Sequence, residues 1–177
     1  VIGAGYIGIE LGQVYAALGS EVTLVEALPD VLPAADRDLV RPLNQRIKRQ
    51  FATVKTGTIV KNLSETNEGI RAVFEGDGEH EQTFDKVLVA VGRKPLTDGL
   101  GLENVGIALD DNGFIPVDEQ MNTGVPGIFA VGDVAGHPML AHKATHEGRV
   151  AAEVAAGKKT VSDARALPAV VFADPEI

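Results

Sequence analysis

The segment Gly3-Ala4-Gly5-Tyr6-Ile7-Gly8-Ile9-Glu10-Leu11-Gly12 places glycines at G-x-G-x-x-G spacing directly after the strand-like Val1-Ile2. Gly3 permits a tight strand-to-helix turn, Gly5 lets the backbone approach a pyrophosphate, and Gly8 lets a helix pack close to a strand. The N–H groups at the helix start then face the phosphates. Glycine-rich turns are common, so the surrounding unit decides whether Gly3, Ala4, Gly5, Tyr6, Ile7 and Gly8 form a dinucleotide cradle. A helix is predicted over residues 6–18, with Gly19 at its C′ position, followed by the apolar run Glu21-Val22-Thr23-Leu24-Val25-Glu26. Glu26 lies 18 residues after Gly8, close to the separation of about 20 at which a carboxylate meets the adenosine ribose. Its carboxylate would accept hydrogen bonds from ribose hydroxyls but repel a 2′-phosphate, and Ala27-Leu28-Pro29 bring no cation to neutralise one. NAD is therefore favoured over NADP. The alternative for Glu26 is a solvated strand end.

The elements around this motif follow from periodicity. A second helix is expected over residues 36–50, with Leu39, Leu43 and Ile47 on its apolar side, Arg and Lys near its end, and Pro42 forcing either a late start or a kink. β-like segments follow at residues 54–62, 70–75 and 84–91, separated by turns at Thr66-Asn67-Glu68-Gly69 and Gly76-Asp77-Gly78. Lys86-Val87-Leu88-Val89-Ala90-Val91 alternates little, as a strand covered on both faces would. The expected fold class is α/β, a Rossmann-like parallel sheet carrying an antiparallel meander. A boundary is expected near Gly92-Arg93-Lys94-Pro95, before a turn-rich stretch at 96–113. Beyond it come Phe114-Ile115-Pro116-Val117, Gly127-Ile128-Phe129-Ala130-Val131-Gly132-Asp133, and a helix over 139–156 with Leu140, Ala144, Val150 and Val154 on one side.

The 177 residues allow one ordinary domain or two small ones, and 45% hydrophobic content suffices for a core. The chain holds no cysteine, which excludes a disulfide framework, a thiolate metal site and a thiol nucleophile within it, and is compatible with a cytoplasmic location. With 25 acidic against 16 basic residues the net charge is −9, which argues against nucleic acid or an anionic membrane as the main partner. No apolar stretch approaches the length of about 18 residues needed to span a bilayer, and no basic-then-apolar leader precedes Val1. The chain begins inside an expected strand and ends just after another, so it is expected to be a piece of a longer protein.

Four blocks in order resemble the pyridine-nucleotide disulfide oxidoreductases. They are the glycine motif at 3–12, Val89-Ala90-Val91-Gly92-Arg93-Lys94-Pro95, Thr123-Gly124-Val125-Pro126-Gly127-Ile128-Phe129-Ala130-Val131-Gly132-Asp133-Val134, and Pro138-Met139-Leu140-Ala141-His142-Lys143-Ala144 with Glu147-Gly148. The last is most similar to the family's dihydrolipoamide-oxidising branch. The resemblance implies an NAD-binding domain at 1–93, a central portion closing over FAD at 94–166, and the start of a truncated dimer-interface domain at 167–177. Asp133 then matches the aspartate that binds a ribityl hydroxyl of FAD, the alternative being a turn-capping acid. Met139, Leu140, Ala141 and His142 match the segment whose backbone lies at the flavin ring. His142 is given a contact there and no proton transfer, since a lone histidine in an apolar run is otherwise packed core or a capping donor. Gly92 matches the glycine against which NAD sits, and Ile59 an apolar residue near the adenine. Glu10 matches a carboxylate that pairs with a lysine near the flavin, the alternative being a first-turn acid favoured by the helix dipole.

The resemblance also says what lies elsewhere. The family's redox-active cysteine pair and the ADP-binding half of its FAD site precede the counterpart of Val1, and its His-Glu base follows that of Ile177. No catalytic residue is therefore assigned to this chain, which alone is expected to be inactive. The whole protein would be a homodimer, and its partner the lipoyl domain of a 2-oxo acid dehydrogenase complex. Rival readings are a relative with another substrate, such as a soluble transhydrogenase or a disulfide or mercuric reductase, and a non-redox NAD-binding module. A dehydrogenase acting directly on an alcohol would need its own acid or base, and His80, His137, His142 and His146 sit in no pattern that suggests one.

Overall fold

The computed structural model describes residues 1–76 and 78–177. The chain divides into two compact units, Val1–Gly92 with Val170–Ile177, and Arg93–Ala169. The first unit is α/β, as expected, with both a parallel and an antiparallel sheet.

Its parallel sheet is assembled from short pieces. Strand β1 (Thr23–Val25) pairs with β2 (Thr53–Lys55). On its other side Ile2 bridges Val25, and Ile2 in turn bridges Val89, with Ile2 N–H donating to Leu88 O at 2.8 Å and Ala90 N–H to Ile2 O at 2.8 Å. In chain order the pieces at 1–2, 23–25, 53–55 and 88–90 therefore lie as third, second, first, fourth. That is the order of a doubly wound mononucleotide half, and the reversal between the first and fourth pieces opens its crevice.

Two helices follow from capping and patterning. Helix α1 (Tyr6–Ala17) ends as predicted at Gly19, whose φ of +98° suits glycine alone. Gly19 N–H bonds Ala16 O and Ser20 N–H bonds Tyr15 O, the paired bonds of a Schellman motif. Helix α2 (Arg37–Gln50) neither starts late nor avoids Pro42, which sits in its second turn and removes one donor there. The buried stripe is Val40, Leu43 and Ile47, continued by Phe51, whereas the predicted Leu39 is 52% exposed. The i, i+3, i+7 spacing anchored on Val40 outcompetes the i, i+4, i+8 row because it faces Ile9, Val22, Leu24, Val31 and Leu32 in one cluster. Burying a leucine such as Leu43 contributes roughly 1.5–3 kcal/mol.

The expected single segment at 54–62 is two strands. Gly57 breaks it, its N–H bonding Leu28 O while Thr58 N–H bonds Glu26 O, and β3 (Ile59–Thr66) then starts a separate sheet. That sheet is an antiparallel meander, as expected, with β4 (Gly69–Gly76) and β5 (Gly78–Phe84) in the order β3-β4-β5, but β5 occupies residues that the pattern assigns to no strand, and the expected segment at 84–91 joins the parallel sheet instead. Asp77 of the expected Gly76-Asp77-Gly78 turn lies outside the described residues. Phe74 and Ala72 bury against Val25, which seats the meander on the parallel sheet.

The segment at 86–91 corrects the expectation of a strand covered on both faces, for Val89 is 58% and Val91 71% exposed. Among the described residues its ladder partner is Ile2, on one side alone, so apolar character here does not signal burial.

The second unit has little regular structure. Ile107, Ile115 and Ala130 form its core. The stretches 114–117 and 127–133 are extended chain joined by single contacts, such as Ile115 N–H to Val134 O at 2.8 Å and an Asn122–Phe129 bridge. Helix α3 (Ala141–Ala155) starts two residues later than predicted, with Leu140 in the extended N-cap conformation. Its most buried residues are Lys143, Glu147 and Val150, so the predicted apolar side is displaced toward two charged residues.

Candidate functional site

The carboxyl ends of the parallel pieces in the first unit carry Gly3, Glu26 and Gly92. Gly3 has φ +97°, and a Cβ there would stand 2.4 Å from Ala90 O, so the turn is open to glycine alone. A Cβ on Gly8 would stand 1.9 Å from Gly3 O. The helix is thus seated directly on the turn. Gly5, the N-cap of α1, has nothing within 4 Å of a built Cβ, and no side chain caps the helix. Open space and backbone donors at a helix start form a site for an anion.

Glu26 is bound to this loop. Its Oε2 accepts the Ala4 N–H at 2.7 Å and its Oε1 the Leu28 N–H at 2.8 Å. It is therefore more than the solvated strand end of the alternative reading. Each carboxylate oxygen keeps a further lone pair for a hydroxyl. The chain after Glu26 folds back as Leu32 N–H bonds Ala4 O at 2.9 Å. Arg37, the first cation after Glu26 in sequence, donates to the carbonyls of Val31, Leu32 and Ala35. Four of its five N–H donors go to the backbone.

Other predicted residues fall around this edge. Half-exposed Ile59 follows Thr58, whose N–H is bonded to Glu26 O. Gly92 has open space at its Cα. Tyr6 and Ile7 open α1 and are partly buried. Glu10 accepts the Phe172 N–H at 2.8 Å, which ties it to the terminal segment of the same unit.

In the second unit Asp133 sits in the 3-10 turn Gly132–Val134, its side chain 45% exposed. Arg93 donates to Asp133 Oδ2 at 3.1 Å and also to the Met139 carbonyl. One guanidinium therefore joins three of the sequence blocks. Met139 is buried, while Ala141 and His142 lie exposed on the first turn of α3 and Leu140 is partly buried. Sequence reasoning gave Arg93 no role. It also missed Lys143 and Glu147, whose side chains are 7% and 11% exposed and 3.1 Å apart. Their i, i+4 spacing was the available signal, but such pairs are ordinarily read as solvated.

With this geometry in view, the comparisons are direct. Residues 1–148 match the sequence model of the family described as pyridine nucleotide-disulphide oxidoreductase. Dihydrolipoyl dehydrogenase of Thermus scotoductus is 48% identical over 99% of the chain, and dihydrolipoyl dehydrogenase 2 of Haloarcula marismortui 50% identical over 100%. The chain spans 39% and 38% of their respective lengths. Among solved structures, LpdA of Mycobacterium tuberculosis superposes with a TM-score of 0.87 at 32% identity, covering 99% of this chain and 38% of that one. The HOCl-induced flavoprotein disulfide reductase RclA of Escherichia coli does so with a TM-score of 0.88 at 30% identity, covering 99% and 40%. The chain belongs to the pyridine nucleotide-disulphide oxidoreductase family.

Proposed function

We propose that this chain is the nicotinamide-nucleotide-binding region, with the adjoining flavin-facing portion, of an FAD-dependent dihydrolipoamide dehydrogenase, and that its nucleotide is NAD. The observation carrying the cofactor choice is the Glu26 carboxylate held at 2.7 Å from the Ala4 N–H, beside the open Gly5. A ribose bearing two hydroxyls meets acceptors there. A 2′-phosphate meets a fixed negative charge, with Arg37 already committed to three carbonyls. Gly3, Ala4, Gly5, Tyr6, Ile7 and Gly8 take the pyrophosphate, Ile59 lies toward the adenine, and Gly92 admits the nicotinamide end.

For the flavin, Asp133 supplies a charged acceptor to a ribityl hydroxyl, and the backbone of Met139, Leu140, Ala141 and His142 lies along the ring. A half-exposed carboxylate on a rigid turn fits that task. When bound, FAD relays two electrons between a disulfide elsewhere in the whole protein and the nicotinamide, and this chain's share is binding and orientation. Residues 1–93 are assigned to the NAD-binding portion, 94–166 to the central portion and 167–177 to the start of an interface domain, although Val170–Ile177 groups with the first unit here. Glu10 is assigned to the flavin side, pairing with a lysine of the whole protein. The identities to two dihydrolipoyl dehydrogenases support this substrate over that of RclA. The reading extends to a cytoplasmic homodimer serving the lipoyl domain of a 2-oxo acid dehydrogenase complex.

Calorimetric titration of the full-length protein with NADH and NADPH tests the nucleotide. NADH binds more tightly, and Glu26→Arg moves the preference toward NADPH. Equal or tighter NADPH binding by the unmodified protein overturns the role of Glu26. Dihydrolipoamide-dependent NAD reduction by the same protein tests the substrate.

A further inference from the structure

Lys143 and Glu147 stand one turn apart on α3 with both charges withdrawn from water. A buried ion pair recovers its desolvation cost only when the remaining donors and acceptors are also satisfied. Here the satisfying backbone groups all belong to Gly132 and Gly136, on either side of Asp133. Lys143 Nζ donates to Gly132 O at 3.1 Å, to Gly136 O at 3.0 Å and to Glu147 Oε2 at 3.1 Å. Glu147 Oε2 accepts the Gly132 N–H at 2.7 Å. Both backbone groups of Gly132 are thus anchored to the helix, as is the carbonyl of Gly136 beyond Asp133. The helix closes on the same residue, since a Cβ on Gly132 would lie 3.0 Å from that of Ala144.

A pair kept for stability alone has no need to converge on one glycine, and apolar residues often stabilise such a site as well. We infer that Lys143 and Glu147 are positioning residues, which hold the Gly132-Asp133 turn so that the Asp133 carboxylate meets the flavin's ribityl chain in a fixed direction. This rests on the flavin reading of Asp133. The two residues touch no cofactor themselves and act through the backbone.

The test is a double-mutant cycle in the full-length protein, read as the affinity of the flavin-stripped protein for added FAD by fluorescence, with circular dichroism to monitor folding. Lys143→Met with Glu147→Leu removes both charges and every hydrogen bond these two side chains make to Gly132 and Gly136. It weakens FAD binding roughly tenfold, the scale of one lost charge-assisted hydrogen bond. In an Asp133→Ala background the same pair of changes weakens binding by less than about twofold, because the group it positions is already gone. Equal weakening with and without Asp133, or none while Asp133→Ala alone weakens binding, overturns the inference and leaves the flavin reading standing. An unchanged affinity in Asp133→Ala itself overturns the flavin reading, and the inference with it. If the apolar pair does not fold, Lys143→Met with Glu147→Gln enters the same cycle. It keeps an acceptor for the Gly132 N–H but removes the Lys143 bonds to Gly132 O and Gly136 O, and the same outcomes decide.

Discussion

In the first unit the turn at Gly3 is shaped by what its residues lack: a Cβ on Gly3 would collide with Ala90 O and one on Gly8 with Gly3 O. In the second unit the turn at Gly132 is shaped by what a helix adds, two buried charges that grip its backbone. The first device is steric, and its glycines lie within a run of ten residues although one atom they clear, Ala90 O, is remote in sequence. The second is electrostatic and draws on residues eleven and fifteen positions away. Steric exclusion tolerates no substitution at the glycine. A polar clamp fails according to what is left behind, because removing one partner strands the other's charge.

The largest effect therefore belongs to the first turn. Gly8→Val places branched carbon where a Cβ alone would stand 1.9 Å from backbone oxygen, so α1 must leave the sheet and expose Ile9 and its cluster. Chemical denaturation of the full-length protein is expected to show a loss of about 4 kcal/mol or more, or no folded protein at all. A stable, cofactor-binding Gly8→Val protein would break the steric account.

Next comes the clamp. Lys143→Ala strands the Glu147 carboxylate in a buried site and costs roughly 3–5 kcal/mol, as breaking a buried pair does. Lys143→Met with Glu147→Leu costs less than the single change, because no unpaired charge remains. If Lys143→Ala proves milder than the double replacement, the pair is not an electrostatic unit.

This difference explains what the sequence disclosed. The G-x-G-x-x-G spacing, Glu26 and the Gly19 stop were legible because each expresses a local rule: a backbone conformation, a fixed separation along a βαβ unit, a helix end. Periodicity places a stripe only to within one residue, so it points to Leu39, and the fit against Leu24 and Val31 buries Val40 instead. Val89 and Val91 read as buried because apolar content does not say where a sheet ends. Lys143 and Glu147 were placed on no functional side, since their burial depends on the carbonyls of Gly132 and Gly136, whose direction no pattern in α3 encodes.

A smaller effect separates an exposed ion pair from the buried one. Arg93 and Asp133 have side chains 38% and 45% exposed at 3.1 Å, so water already screens them. Arg93→Gln is expected to change stability by less than about 1 kcal/mol. It also removes a donor from the Met139 carbonyl, so flavin retention in the full-length protein falls more than stability does. Dialysis against buffer without FAD, followed by absorbance, reads the first quantity, and thermal unfolding the second. Parallel losses in both would make Arg93 only a structural tie.

The smallest stability effect is expected at Gly5, and it sharpens the comparison most, because Gly5 shares a motif with Gly8 but not its surroundings. Its φ of −71° suits any residue, and a built Cβ meets nothing within 4 Å. Replacing glycine at a compatible φ stabilises by roughly 0.4–1 kcal/mol through the unfolded chain. Alanine is a poorer N-cap than glycine, and that costs a comparable amount. The two nearly cancel, so Gly5→Ala should move the melting temperature by no more than about 2 °C. The methyl group nevertheless occupies the space into which a pyrophosphate must come to reach the backbone. NADH affinity is therefore expected to fall by roughly tenfold or more, equivalent to about 1.4 kcal/mol, while the fold stands. A Gly5→Ala protein that binds NADH as the unmodified one does would show that the open space beside α1 is not the phosphate site. One that unfolds would show that the motif's central glycine is structural after all, as Gly3 and Gly8 are.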